Sequence, residues 1–268
     1  MRKTVLITGA SGGLGLEFAR IYAREGFDLV VVARSEGKLY KLKSELETQY
    51  DCHVWVLAQD LSQPDAAYEV FNYTLEKNIT IDALVNNAGF GDFGNFWEVD
   101  AQRQTDLLQV NIMTLVQLTR YFLPGMVERR HGSVLNLSSV AAFSAGPRMC
   151  LYYASKEFVR SFSEAVAEEV RSTGVTVTAL CPGPTATGFE QAAQMKNSHM
   201  FSMFKPASAA AVAEAGFRAA QKGKNSSLLW LANSHGEHRC TAAAKKCVQK
   251  IYDEGQWIMS AIAVCSNQ

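Results

Sequence analysis

Val5-Leu6-Ile7-Thr8-Gly9-Ala10-Ser11-Gly12-Gly13-Leu14-Gly15 runs from an apolar, β-branched segment into a glycine cluster and on into a helix-forming stretch. Strand, glycine turn and helix in that order predict the start of a dinucleotide-binding βαβ unit. Gly9 permits the tight turn off the strand, Gly13 lets backbone approach a pyrophosphate, and Gly15 lets the helix pack closely on the sheet. The free N–H groups at the helix N-terminus, with their partial positive charge, then face the phosphates. The spacing is Gly-x-x-x-Gly-x-Gly, not the more familiar Gly-x-Gly-x-x-Gly.

Beyond this unit, short β-branched runs alternate with longer amphipathic segments, the pattern of βαβ repeats around a parallel sheet buried on both faces. Strands are predicted at 3–8, 28–33, 53–58, 82–86, 132–137, 175–180 and 226–231, and helices at 14–25, 36–49, 64–77, 101–130, 151–173, 207–221 and 241–254. The expectation is an α/β fold: one domain over residues 1–268, with a doubly wound seven-stranded parallel sheet and its ligand outside the carboxyl ends of the strands. Residues 186–206 carry Phe189, Met195, Met200, Phe201, Met203 and Phe204 without a firm period, and read as a lid over a substrate cleft.

Lys plus Arg and Asp plus Glu number 26 each, so no net field draws in nucleic acid or an anionic membrane. No apolar run reaches the roughly 18 residues of a membrane span. The cysteines at 52, 150, 181, 240, 247 and 265 form no Cys-x-x-Cys pair, and Met1-Arg2-Lys3 leads directly into a strand, so a cytoplasmic location is expected. On that expectation the sequons at Asn72, Asn78, Asn136 and Asn225 are chance matches. His235, His238, Cys240 and Cys247 match no zinc spacing, and no metal is expected.

The chemistry is concentrated near residue 150. Tyr152 and Lys156 are four apart in a helical segment and so share a face, and Ser139 lies upstream in Asn136-Leu137-Ser138-Ser139. An ammonium beside a phenol favours the phenolate, so Lys156 is expected to lower the Tyr152 pKa from its usual value of about 10. Ser139 is expected to hydrogen-bond the same substrate oxygen.

Taken together, these motifs resemble the short-chain dehydrogenase/reductase superfamily from the N-terminus to about Phe189, with the nearest likeness to the branch of 3-oxoacyl and hydroxysteroid reductases. The resemblance implies a cofactor loop of Gly9, Ser11, Gly12, Gly13, Leu14 and Gly15, adenine contacts from Asp60 and Leu61, and a ribose-side loop in Asn87, Ala88 and Gly89. It further implies a nicotinamide loop with Pro182, Gly183, Thr185 and Thr187, and a catalytic set of Ser139, Tyr152, Lys156 and Asn111, with Tyr152 and Lys156 also touching the cofactor. Asn111 would hold a water linking Lys156 to solvent. A homodimer or homotetramer is implied as well, with helices 101–130 and 151–173 packed on their symmetry mates. Phe158, Phe162, Val166 and Val170 form an apolar stripe that faces either such a mate or the sheet.

Cofactor choice follows from the end of the second strand. An NAD site wants Asp or Glu there, whereas this chain has Ala33, then Arg34 and Ser35. A guanidinium suits a 2′-phosphate, so NADP(H) is expected, although many NADP-type relatives also carry a basic residue where this chain has Gly12. Phe90, Phe93, Phe96, Trp97, Phe143, Met149 and Phe189 are expected to line the cleft, and an apolar ketone (3-oxoacyl, lipid-like or steroid-like) is the expected substrate. The alternatives are a catalytically silent NADP(H)-binding redox sensor, or an alcohol dehydrogenase working in the oxidative direction.

Overall fold

The computed structural model describes residues 2–189, 206–223 and 226–229. The predicted helix 241–254, the strand residues 230–231, most of the predicted lid and the His235/His238/Cys240/Cys247 segment lie outside them.

The βαβ reading holds at its first unit: β1 (Thr4–Thr8), α1 (Gly13–Arg24) and β2 (Asp28–Ala33) follow in order. Then come α2 (Glu36–Gln49), β3 (Val54–Ala58), α3 (Ala66–Glu76) and β4 (Ala83–Asn86). The second half holds α4 (Ala101–Leu108), α5 (Leu115–Glu128), β5 (Gly132–Leu137), α6 (Cys150–Glu169) and β6 (Val175–Pro182). It closes with β7 (Thr185–Ala186), β8 (Ala207–Ser208), α7 (Ala209–Gln221) and β9 (Ser226–Leu229).

The main sheet has seven parallel strands in the order β3-β2-β1-β4-β5-β6-β9. Because side chains alternate across a strand, neighbours go to opposite cores. Leu6 packs with α3, α5 and α6, whereas Val5 and Ile7 pack with α1, α2 and α7. Each such fully buried side chain stabilises the fold by about 1.5–3 kcal/mol. Winding reverses between β1 and β4, which opens a crevice at the carboxyl ends of those strands.

A buried polar thread joins the centre of the sheet to α6. Asn86 and Asn136 are partners across β4 and β5. Asn86 Nδ2 donates to Asn136 Oδ1 (2.9 Å), and Asn136 Nδ2 donates to Ser163 Oγ (2.9 Å). Asn136 is wholly buried, so its sequon is inaccessible in the folded chain.

Residues 101–130 do not form the single helix expected. Gln109–Thr114 is π-helical, between α4 and α5. The wider turn places Asn111 and Thr114 inward, where both are buried. Thr114 Oγ1 donates to the Leu61 carbonyl (2.9 Å), and Asn111 bonds to the loop after β4. These tertiary bonds stabilise a turn that local propensity alone would not select. The apolar stripe on α6 divides: Val166 and Val170 pack under the sheet, while Phe158 is exposed and stacks on Phe162. No helix among the described residues is long and apolar enough to cross a membrane.

Candidate active site

The glycine loop sits at the mouth of the crevice. Gly9 has φ +68°, and a Cβ on Gly15 would lie 2.3 Å from the Gly9 carbonyl oxygen and 2.6 Å from Asn87 Nδ2, so neither position admits a side chain without displacement. Asn87 Nδ2 donates to the Thr8 carbonyl (2.8 Å), while the Thr8 hydroxyl accepts from the backbone N–H groups of Asn87 and Ala88, both at 3.0 Å. Thr8 thereby clips the loop after β4 to the end of β1. Beside Gly12, nothing lies within 4 Å of where a Cβ would stand. That open space, next to the first N–H groups of α1, fits a pyrophosphate. Ser11 and Leu14 are half-buried along the same loop.

Around this cradle the other expected cofactor residues fall at strand ends. Arg34 and Ser35 are exposed where β2 meets α2, and Arg34 has no ion pair among the described residues. Asp60 Oδ1 accepts from the backbone N–H and hydroxyl of Ser62 at 3.0 and 2.9 Å, and Leu61 is buried behind it. Gly89 passes between Asn111 and Lys156, since a Cβ there would lie 3.0 Å from Asn111 Oδ1 and 3.3 Å from Lys156 Nζ. After Pro182 and Gly183, the Thr185 hydroxyl donates to the Gly183 carbonyl (2.8 Å) and the β7–β8 ladder holds the loop. Thr187 reaches back to the glycine loop, its side chain 3.2 Å from a Cβ built on Gly13. Its hydroxyl accepts from the Phe189 N–H (3.2 Å), which leaves the hydroxyl proton free to donate.

Ser139, Tyr152 and Lys156 do converge. Ser139 follows β5 and starts a short 3-10 turn, Val140–Phe143, its hydroxyl accepting from the Ala141 N–H (3.1 Å). The same hydroxyl lies near enough to the Tyr152 phenol to favour its ionised form. Lys156 Nζ lies 5.7 Å from the centre of the Tyr152 ring and donates to the Leu137 carbonyl (2.8 Å). Asn111 makes three bonds: its Oδ1 accepts from the Phe90 N–H (3.1 Å), and its Nδ2 donates to the Phe90 carbonyl (3.0 Å) and to Ser155 Oγ (3.1 Å).

The electrostatics overturn one expectation. Lys156 does not lower the Tyr152 pKa; burial pushes that phenol up to about 12, against a smaller lowering effect of the Ser139 hydroxyl. Burial also drives Lys156 down to about 8. Removing both groups from water outweighs their mutual influence when Nζ faces the ring and the Leu137 carbonyl rather than the phenol oxygen. The phenol is therefore a neutral donor at neutral pH.

The apolar wall is narrower than expected. Phe93, Met149 and Phe189 gather with Ala141, Tyr152 and Tyr153. Phe96 and Trp97 are instead exposed, Phe143 sits beneath Arg160, and Phe90 beneath Arg103. Sequence reasoning missed Ser155, whose only signal was its place next to Lys156. It also missed the ion pair of Arg103 with the nearly buried Asp92 (3.0 Å), which braces the loop after β4.

The family model for short chain dehydrogenase matches residues 3–198. The chain belongs to the short-chain dehydrogenase family. Among this family's curated members, a very-long-chain 3-oxoacyl-CoA reductase from Anas platyrhynchos is 33% identical over 186 residues, covering 68% of this chain and 59% of that protein. The chain thus matches well under two thirds of that relative's length. An uncharacterized oxidoreductase, YvrD, from Bacillus subtilis (strain 168) is 35% identical over 69% of both chains. In solved structures the same short-chain dehydrogenase architecture recurs: one from Sphingobium yanoikuyae in complex with NADPH superposes with a TM-score of 0.79 at 28% identity, covering 94% of each chain.

Proposed function

We propose that this short-chain dehydrogenase is an NADPH-dependent reductase that converts an apolar ketone to a secondary alcohol. The observation that carries the reading is Lys156 Nζ 5.7 Å from the centre of the Tyr152 ring with the Ser139 hydroxyl beside the phenol, at the end of a sheet whose glycine loop fits a dinucleotide. Bound NADPH supplies the hydride. Tyr152 gives its phenolic proton to the carbonyl oxygen, and Ser139 donates a hydrogen bond to that oxygen as negative charge builds on it. Lys156 and Tyr152 hold the ribose side of the cofactor, and Asn111 positions Lys156 through Gly89 and Ser155.

At neutral pH Tyr152 carries the proton that ketone reduction requires of it. The retained set of Ser139, Tyr152 and Lys156 argues against a silent redox sensor, which has no need of a proton donor. NADP(H) is favoured by the exposed Arg34 and by the NADPH in the Sphingobium structure. The 3-oxoacyl-CoA reductase relative and the Phe93, Met149 and Phe189 wall support an apolar substrate, with residues 186–206 as lid. A cytoplasmic homodimer or homotetramer completes the reading, its interface built on exposed Met113 and Phe158 of the π-helical segment and α6.

The test is NADPH oxidation by purified protein against a panel of long-chain, steroid and 3-oxoacyl ketones. Turnover is expected to fall about 100-fold or more in Tyr152→Phe while NADPH binding, followed by fluorescence, persists. Unaltered turnover in that variant rules out the mechanism.

A further inference from the structure

Among the described residues, three non-glycine residues adopt left-handed backbone: Asn78, Arg130 and Arg148. Asn78 and Arg130 lie just past the ends of α3 and α5, where such a conformation ordinarily terminates a helix. Arg148 does not; it precedes α6. It occupies the third position of the turn Gly146-Pro147-Arg148-Met149, closed by the Met149 N–H donating to the Gly146 carbonyl (3.0 Å). With proline second and φ +64° third, this is the pattern of a type II turn, whose third position favours glycine. A long charged side chain sits where the backbone prefers none.

The surroundings give that side chain a purpose. The turn is anchored beside the Tyr152 cluster: Met149 is buried, and the Tyr153 ring covers Gly146 so closely that a Cβ there would lie 2.2 Å from it. The Arg148 carbonyl accepts from the Gly94 N–H (2.9 Å), joining the turn to the loop after β4. The Arg148 guanidinium stacks 4.4 Å from the centre of the Phe93 ring, and Phe93 packs with Tyr152 and Phe189. The residue is exposed and has no carboxylate partner among the described residues. A cation is therefore held beside the apolar Tyr152 cluster, aligned by a ring and, among the described residues, left without a counter-ion.

The geometry points to Arg148 as a specificity residue that takes an anionic group of the substrate, a phosphate or carboxylate, at the cleft mouth while the ketone lies at Tyr152. This rests on the reductase reading above and deepens it: the substrate is an apolar oxoacyl chain bearing an anion, not a neutral ketone.

The experiment measures kcat/KM with NADPH for 3-oxo-octanoyl-CoA, for the uncharged N-acetylcysteamine thioester of the same acyl group, and for 5-oxo-octanoate, in wild type, Arg148→Gly and Arg148→Lys. Glycine relieves the backbone as it removes the charge, so Arg148→Gly is expected to fold with an undiminished melting temperature. The preference for an anionic substrate over the neutral thioester is expected to drop about tenfold or more in Arg148→Gly through KM, with part retained in Arg148→Lys. A loss confined to the CoA thioester identifies the anion as phosphate; a loss confined to the oxo acid identifies it as carboxylate. No preference in wild type, or the same preference in Arg148→Gly, overturns the assignment of Arg148 alone. Absence of turnover with all three ketones, together with the wider panel, overturns the reductase reading itself.

Discussion

Asn111 Nδ2 and Ser155 Oγ are 3.1 Å apart, and this bond ties the π-helical segment to α6 one residue before Lys156. Ser155 in turn donates to the Tyr152 carbonyl (2.7 Å), so Asn111 is connected to both ends of the Tyr-x-x-x-Lys face. The same side chain satisfies the Phe90 backbone.

Asn111→Ala removes the partner of the part-buried Phe90 N–H and C=O, at a cost below the roughly 1–3 kcal/mol of a fully buried unpaired group. A lower melting temperature is expected, with kcat reduced about tenfold or more and NADPH affinity changed far less. Calorimetry and steady-state kinetics on one preparation separate these effects; wild-type kcat in a destabilised variant would confine Asn111 to a scaffolding role.

Lys156 sets the pH dependence. Its pKa is lowered to about 8, so the ammonium persists below that pH and is lost above it, whereas Tyr152, at about 12, keeps its proton throughout. The reductive kcat/KM, which reports the free enzyme, is expected to stay level up to about pH 8 and then decline. A pH–rate profile of NADPH oxidation checks this, and a rise with pH across the same window contradicts it.

On the proposed NADP(H) reading, Arg34→Asp replaces the 2′-phosphate partner with a like charge. KM for NADPH is expected to rise about 100-fold and that for NADH only a few-fold, as a charge-assisted bidentate contact is exchanged for repulsion. Parallel titrations of the two cofactors decide it, and equal effects remove Arg34 from the 2′-phosphate site.

Gly15→Ala and Gly12→Ala form a matched pair. The first drives a methyl into the Gly9 carbonyl, an overpacking that costs about 1–3 kcal/mol and lowers the melting temperature. The second puts a methyl into open space on an extended backbone (φ −179°), so the fold is expected to hold while NADPH affinity drops. Thermal melts with and without NADPH distinguish them.

Strand placement was legible because β-branched runs such as Val30-Val31-Val32 are buried on both faces and carry no competing helical period. The convergence of Ser139, Tyr152 and Lys156 was legible from helix spacing and from the habit of such sheets to gather function at strand ends. The π-helical turn was not, since Gln109-Val110-Asn111-Ile112 has neither glycine nor proline, and its cause lies in partners distant in sequence, Leu61, Phe90 and Ser155. The Tyr152 pKa was misread for a related reason: proximity to a cation can be inferred from spacing, but the loss of water around both groups depends on everything packed over them.

The Asn86–Asn136–Ser163 thread has a consequence for how the halves of the cleft are set in height. Sliding β5 by one residue against β4 would turn Asn136 to the opposite core, break both of its bonds in the thread and leave Asn86 with Thr119 alone. The pair therefore works as a vernier: only one alignment closes it, and that alignment fixes the heights at which Asn87, one position past Asn86, and Ser139, three past Asn136, leave the sheet.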